Sequence, residues 1–239
     1  MKQKGDRPIV KSATRLSDFD NIKFTVEQFI DKVEEELNEM KHHQDYGTLA
    51  RERGRNRTIK KFIEELLPLQ KYLVFRLNNG ILAETIRWKN GSQQGDAILN
   101  ESEIIEITVA EHENEWIVRE RMNRGKPTFS ADGTSKENGI TSSIPVVKSP
   151  QDRIHVHTDM IINAIKKKIE KPYTIDSLVI FLNQDGLLME DEFKAIIDNV
   201  RSFESLKAIN NLFIWSFQYN ALLNRNGITI VQSDRGERR

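Results

Sequence analysis

Two acids, Asp96 and Glu106, are the residues of this chain best placed to do chemistry. Asp96 precedes the apolar segment Ala97-Ile98-Leu99, Glu106 interrupts the apolar run Ile104 to Val109, and polar Asn100 to Glu103 lie between. Both segments are rich in residues that suit strands, and together they read as a β-hairpin. Alternation puts Glu106 and Thr108 on one face with Ile104, and Ile105, Ile107 and Val109 on the other. A carboxylate on a buried strand must be paired, hydrogen-bonded or metal-bound to offset its desolvation. Two that converge across a hairpin repel unless a cation lies between them, and Mg²⁺ or Mn²⁺ takes such oxygen ligands. The other reading leaves one of the pair at a strand end in water.

Composition bounds what surrounds the pair. A chain of 239 residues, 38% hydrophobic, can bury a substantial core. Its 36 basic and 36 acidic residues cancel, so any basic surface that meets nucleic acid must be local. The densest such cluster is Arg51, Arg53, Arg55, Arg57, Lys60 and Lys61, against the single acid Glu52. Spacing by two splays these side chains around a helix, and no aromatic is interleaved for base stacking, so phosphate contact and a plain solvated surface both stay open. No apolar run reaches the length of a membrane span, and the N-terminus Met-Lys-Gln-Lys-Gly-Asp-Arg-Pro lacks the apolar core of a signal peptide. No membrane partner is expected, and the cytoplasm is the default compartment. Without cysteine there is no disulfide, thiolate metal site or cysteine nucleophile.

The elements that must hold the acids follow from periodicity. Residues 1 to about 20 read as an irregular arm. Thr25 with Gln28 makes a capping box, and Val26, Phe29, Ile30, Val33, Leu37 and Met40 form the stripe of an amphipathic helix ending near Lys41. Ile59, Phe62, Ile63, Leu66 and Leu67 give a second helix, stopped by Pro68. Asn78-Asn79-Gly80 is read as a hairpin turn, with a longer helix as the alternative. Ile86, Trp88 and the hairpin of the two acids then make a three-stranded antiparallel meander.

A helix is expected over Glu111 to Asn123, and a long loop from Thr128 to about Arg153 suits a substrate-covering flap. From His155 to Lys171 a helix returns, with Lys166, Lys167, Lys168 and Lys171 near its C-terminus, where positive charge complements the dipole. Ser177 to Leu182 and Leu212 to Phe217 read as buried strands, Glu190 to Phe203 as the helix between them, and Ile228 to Val231 as an edge strand. The expected architecture is therefore α/β, a mixed central sheet sandwiched by helices, with an N-terminal helical extension. Its expected divisions are residues 1–47 as arm and amphipathic helix, 48–232 as the α/β domain, and 233–239 as a loose charged tail.

The order helix, meander, helix, buried strand over roughly Thr58 to Phe217 resembles the PD-(D/E)XK nuclease superfamily, the restriction-endonuclease-like fold. There an acid on the second core strand, an acid on the third and a lysine two residues later bind a divalent metal and activate water. Gly95-Asp96 takes the place of Pro-Asp, and Glu106-Ile107-Thr108 that of acid-x-lysine. The resemblance implies Mg²⁺- or Mn²⁺-dependent phosphodiester hydrolysis, with Asp96 and Glu106 as metal ligands and Glu64 or Glu65 as a third acid. A threonine at position 108 supplies neither the charge nor the proton handling of a lysine, and Lys166 or Lys168 on the following helix would stand in for it. Arg51, Arg53, Arg55, Arg57, Lys60 and Lys61 would then meet the nucleic acid.

Two other readings compete. One is a catalytically inactive member that keeps the fold as a module for binding nucleic acid or a protein partner, in a mobile-element or defence context. The other is an unrelated α/β protein whose Glu106 is hydrogen-bonded to backbone. His155-Val156-His157 has no third ligand of matching spacing, His42-His43 stands beside a helix end, and Ser142-Ser143 lacks the turn that exposes a nucleophile.

Overall fold

Eight strands make one open mixed sheet in which each strand neighbours the next in sequence. They are β1 (Lys23–Thr25), β2 (Thr85–Trp88), β3 (Ala97–Leu99), β4 (Glu103–Ala110), β5 (Ser177–Leu182), β6 (Asn211–Trp215), β7 (Tyr219–Asn224) and β8 (Gly227–Gln232). Strands β1 to β4 run antiparallel, β4, β5 and β6 parallel, and β6 to β8 antiparallel again. The computed structural model describes residues 16–43, 56–91, 94–111, 149–183, 188–224 and 227–232. Arg51, Arg53, Arg55, the charged tail, all but the first residue of the helix expected from Glu111, and most of the loop expected from Thr128 lie outside them.

The middle of the parallel region is β5, whose sequence is apolar on both faces. All six residues of β5 are buried. Among the described residues, four helices cover the sheet: α1 (Val26–His43), α2, α3 (Pro150–Ile169) and α4 (Glu190–Arg201). Helix α2 is one helical run assembled from Arg57–Lys61, a π-helical turn at Phe62–Leu66, and Leu67–Asn78. On one face Phe29, Val33, Leu69 and Leu73 of α1 and α2 pack on Ile105, Ile107, Val179 and Phe213. On the other, Ile161, Ile165, Phe193 and Ile197 of α3 and α4 pack on Leu178, Ile180, Leu212 and Ile214. The molecule is thus α/β with helices on both faces of a mixed sheet. Helix α1 shares its buried stripe with α2, and β1 pairs with β2 at the sheet edge. No helix among the described residues is long and apolar enough to cross a membrane.

Several local expectations hold. Gln28 N donates to Thr25 Oγ1 at 3.2 Å and Thr25 N to Gln28 Oε1 at 3.0 Å, so the capping box opens α1. The meander is present as β2–β3–β4. Others fail for identifiable reasons. Pro68 does not stop α2, because the widened turn before it, closed by Leu67 N to Phe62 O, makes room for the proline ring against the carbonyl four residues back. Asn78-Asn79-Gly80 is not a hairpin turn but the end of that helix. Gly80 takes φ +65 and Ile81 N returns to Arg76 O at 2.8 Å, a glycine C-cap. Helix α3 starts earlier than its apolar stripe, at Pro150, since Ser149 caps it by accepting from Asp152 N at 3.2 Å. Strands β1 and β7 were not expected at all.

Candidate functional site

Strand pairing brings the two acids together. Ala97 pairs with Ile105, which sets Asp96, one residue before β3, across from Glu106 on β4. Asp96 is anchored through its backbone, its N–H donating to Ile105 O and its carbonyl accepting from Lys89 N, both at 2.9 Å. The preceding Gly95 has φ +74, and a Cβ there would stand 2.8 Å from Ile104 Cγ2. Proline, locked near φ −65°, cannot occupy this position, and any other side chain there would meet Ile104.

The carboxylates converge on one ammonium. Lys168, on α3, donates to Glu106 Oε2 at 2.6 Å and lies 3.5 Å from Asp96 Oδ2. Asp96 Oδ2 also accepts from Ile107 N at 2.7 Å. Just beyond the end of α3, Lys171 donates to the same Glu106 oxygen at 2.6 Å and to the Tyr173 hydroxyl at 2.7 Å. Tyr173 in turn donates to Glu106 Oε1 and accepts from Gly95 N at 3.4 Å. The Glu106 side chain is wholly buried among these partners.

Environment drives the two acids apart. Burial raises the Asp96 carboxyl, and the nearby Glu106 charge adds to this; Lys168 and the Ile107 N–H offset it only in part, so Asp96 sits above the ordinary carboxylate range. Burial acts on Glu106 too, yet hydrogen bonds from Lys168, Lys171 and Tyr173 outweigh it and hold that carboxyl below its usual value. Burial alone would lower Lys171, but Glu106 and Tyr173 raise it, so its ammonium is firmly charged. Glu65, in the π-helical turn of α2, is a third acid of the neighbourhood. Its burial raises it, the charge of Lys61 lowers it, and the charge of Asp96 raises it again, with a net upward shift.

The chain matches no family model. Nor is any curated protein or solved structure found to be similar to it.

The other expected site residues are placed as follows. Glu64 lies 3.9 Å from Lys60, whereas Glu65, 3.5 Å from Lys61, is the one that feels Asp96. Lys61 also donates to Asn90 Oδ1 at 2.8 Å, and Arg57 and Lys60 are exposed near the start of α2. Lys166 is exposed, its ammonium 5.7 Å from the centre of the Phe203 ring on the far side of α3 from the acids' lysine, Lys168. Among the described residues no group of three or more His, Asp or Glu side chains is arranged to hold a metal. Magnesium, however, is commonly held by one or two carboxylates plus water and substrate oxygens, and two acids already sharing one cation present that donor set. Asp96 and Glu106 therefore fit such an ion.

Lys171 and Tyr173 were not read as site residues. Lys171 passed for a helix-end charge, and the Lys-Pro-Tyr turn that points both side chains back at β4 carries no periodic signal. A second carboxylate of β4 was also missed. Glu103, on the opposite face, takes a two-pronged contact from Arg76 Nη1 at 2.7 and 2.8 Å and a hydrogen bond from Ser177 Oγ at 2.5 Å. The Tyr72 hydroxyl lies 3.0 Å from both Arg76 Nη1 and Ser177 Oγ, and burial with the Glu103 charge pushes that phenol up to about 12.

Proposed function

We propose that the protein is a divalent-metal-dependent nuclease whose site is Asp96, Glu106 and Lys168. The supporting observation is the position of Lys168, whose ammonium touches both carboxylates from α3 and supplies the positive charge that Thr108 cannot. Asp96 and Glu106 would hold Mg²⁺ or Mn²⁺, which when bound lowers the pKa of a coordinated water and polarises a phosphoryl oxygen. Lys168 stands beside the acids, where a phosphate in mid-reaction gathers negative charge. Glu65, shifted upward by its burial, is the neighbouring acid outside the ligand pair that could exchange a proton with solvent or substrate. Arg57 and Lys60 lie on the same helix as Glu65, so a sugar–phosphate backbone approaching the acids would meet positive charge there.

One observation favours the binding-module reading. Both oxygens of Glu106 already have partners, and two lysines balance two acids without any metal. Incubating wild type, Glu106→Gln, Lys168→Ala and Lys166→Ala with mixed DNA and RNA plus Mn²⁺ separates the two. The nuclease reading expects cleavage by wild type and Lys166→Ala that falls at least 100-fold in the other two, the scale of a lost acid–base or charge-stabilising group. Cleavage equal in all four would be a contaminant's. No cleavage in any, with oligonucleotide retained on the wild type, leaves the binding module.

A further inference from the structure

We propose that Lys171 is an exchangeable counter-ion of Glu106: it occupies Oε2 until a divalent cation arrives, and then turns into the cavity beside it. This rests on the reading of Asp96 and Glu106 as cation ligands, and it adds a residue that sets how easily the cation enters. Two ammonium groups share Oε2 at 2.6 Å each, but they are held differently. Lys168 lies within α3, has a side chain 16% exposed, and touches both acids. Lys171 follows the end of that helix, is 32% exposed, and touches Glu106 alone of the acids. It is the partner with the shorter way to water.

The space it would move into is present. A cavity of about 330 Å³ is lined by Lys171, Tyr173 and Thr174 together with Ile169, Ile175 and Ile209. Ile169, Ile175 and Ile209 offer apolar surface to the four-carbon stem, and the Thr174 hydroxyl and solvent can take the ammonium, the arrangement long basic side chains commonly adopt. Tyr173 still donates to Oε1 after the exchange, so Glu106 keeps its orientation while Oε2, left with Lys168 alone, has a position open for the cation. If Lys171 holds Glu106 in about nine molecules of ten, the apparent affinity for the cation is weakened about tenfold, because only the released fraction can bind.

Calorimetric titration of Mn²⁺ into the full chain tests this. Lys171→Met keeps the stem and removes the charge, and Lys171→Gln is a second form should the first fold poorly. Lys167→Met, which removes an exposed charge from the same helix end without touching Glu106, sets the size of the general electrostatic effect. The expected result is binding about tenfold tighter in the Lys171 variants, less than twofold tighter in Lys167→Met, and lost when Asp96→Asn is added. Equal or weaker binding in the Lys171 variants, with loss in Asp96→Asn, overturns the exchange and leaves the cation site standing. A gain as large in Lys167→Met also overturns it. No binding at millimolar Mn²⁺ in any folded preparation removes the cation site, and the exchange with it.

Discussion

Glu103 and Glu106 occupy the same strand three residues apart, one half-buried and one wholly buried on opposite faces, and their charges are met in two different ways. Glu103 is matched charge for charge by one guanidinium, whose Nη1 spans both carboxylate oxygens while Nη2 is fixed on Leu82 O, and the Tyr72 and Ser177 hydroxyls add contacts to Oε1. Glu106 is held by two flexible ammonium groups and a phenol, and shares one ammonium with a second acid. A network of the first kind loses its satisfaction if any member moves. In the second, one partner can leave and the carboxylate stays paired. What separates the two acids is the redundancy of their partners.

The largest expected effect lies on the Glu103 face. Arg76→Met leaves Glu103 without its cation and should lower stability by about 3–5 kcal/mol, read as a shift of the urea midpoint. A loss under about 1 kcal/mol would mean that Tyr72 and Ser177 suffice, and the contrast would vanish. Lys168→Met should cost less, about 1.5–3 kcal/mol, since Lys171 and Tyr173 remain on Glu106. If it costs more than Arg76→Met, the partners of Glu106 are not redundant.

Titration should give the two site acids opposite signs. Asp96 binds its proton more tightly folded than unfolded, so its contribution falls as pH rises from the unfolded value near 4 through the raised folded one. Glu106 binds its proton less tightly folded, so its contribution is lost as pH falls through the lowered folded value. Thermal midpoints over pH 3.5–7 should therefore show Asp96→Asn improving relative to wild type with rising pH, and Glu106→Gln worsening. Parallel curves for both variants would refute the opposed environments. The smallest effect belongs to Lys166→Ala, which should cost less than about 1 kcal/mol, the scale of an exposed cation over a ring. It should leave Mn²⁺ binding unchanged; weakened binding would make Lys166 part of the site.

What the sequence revealed divides along the same line. The pairing of Asp96 with Glu106 was legible because strand alternation and a polar turn are local patterns. The continuously apolar β5 likewise announced its central place. The length of α2 was not legible, because a proline normally marks a helix boundary and only the π-helical turn lets this one continue. Arg76 and Glu103 lay hidden for the same reason, one in a segment read as a hairpin and the other in the polar turn. Of the lysines, charge pattern identified the helix end, but choosing Lys168 over Lys166 depends on which side of α3 meets β4, and that is a tertiary fact.

The separation of the site's parts along the chain also orders its assembly. Asp96 and Glu106 meet across Asn100–Ser102, a short closure of the kind completed within microseconds, while Lys168 and Lys171 must return over a far longer span to lay β5 beside β4. For that interval the two carboxylates face each other with neither ammonium present. Early hairpin pairing in this protein thus proceeds against its own charge, and stopped-flow refolding should quicken in mild acid while unfolding, which starts from the neutralised cluster, responds less.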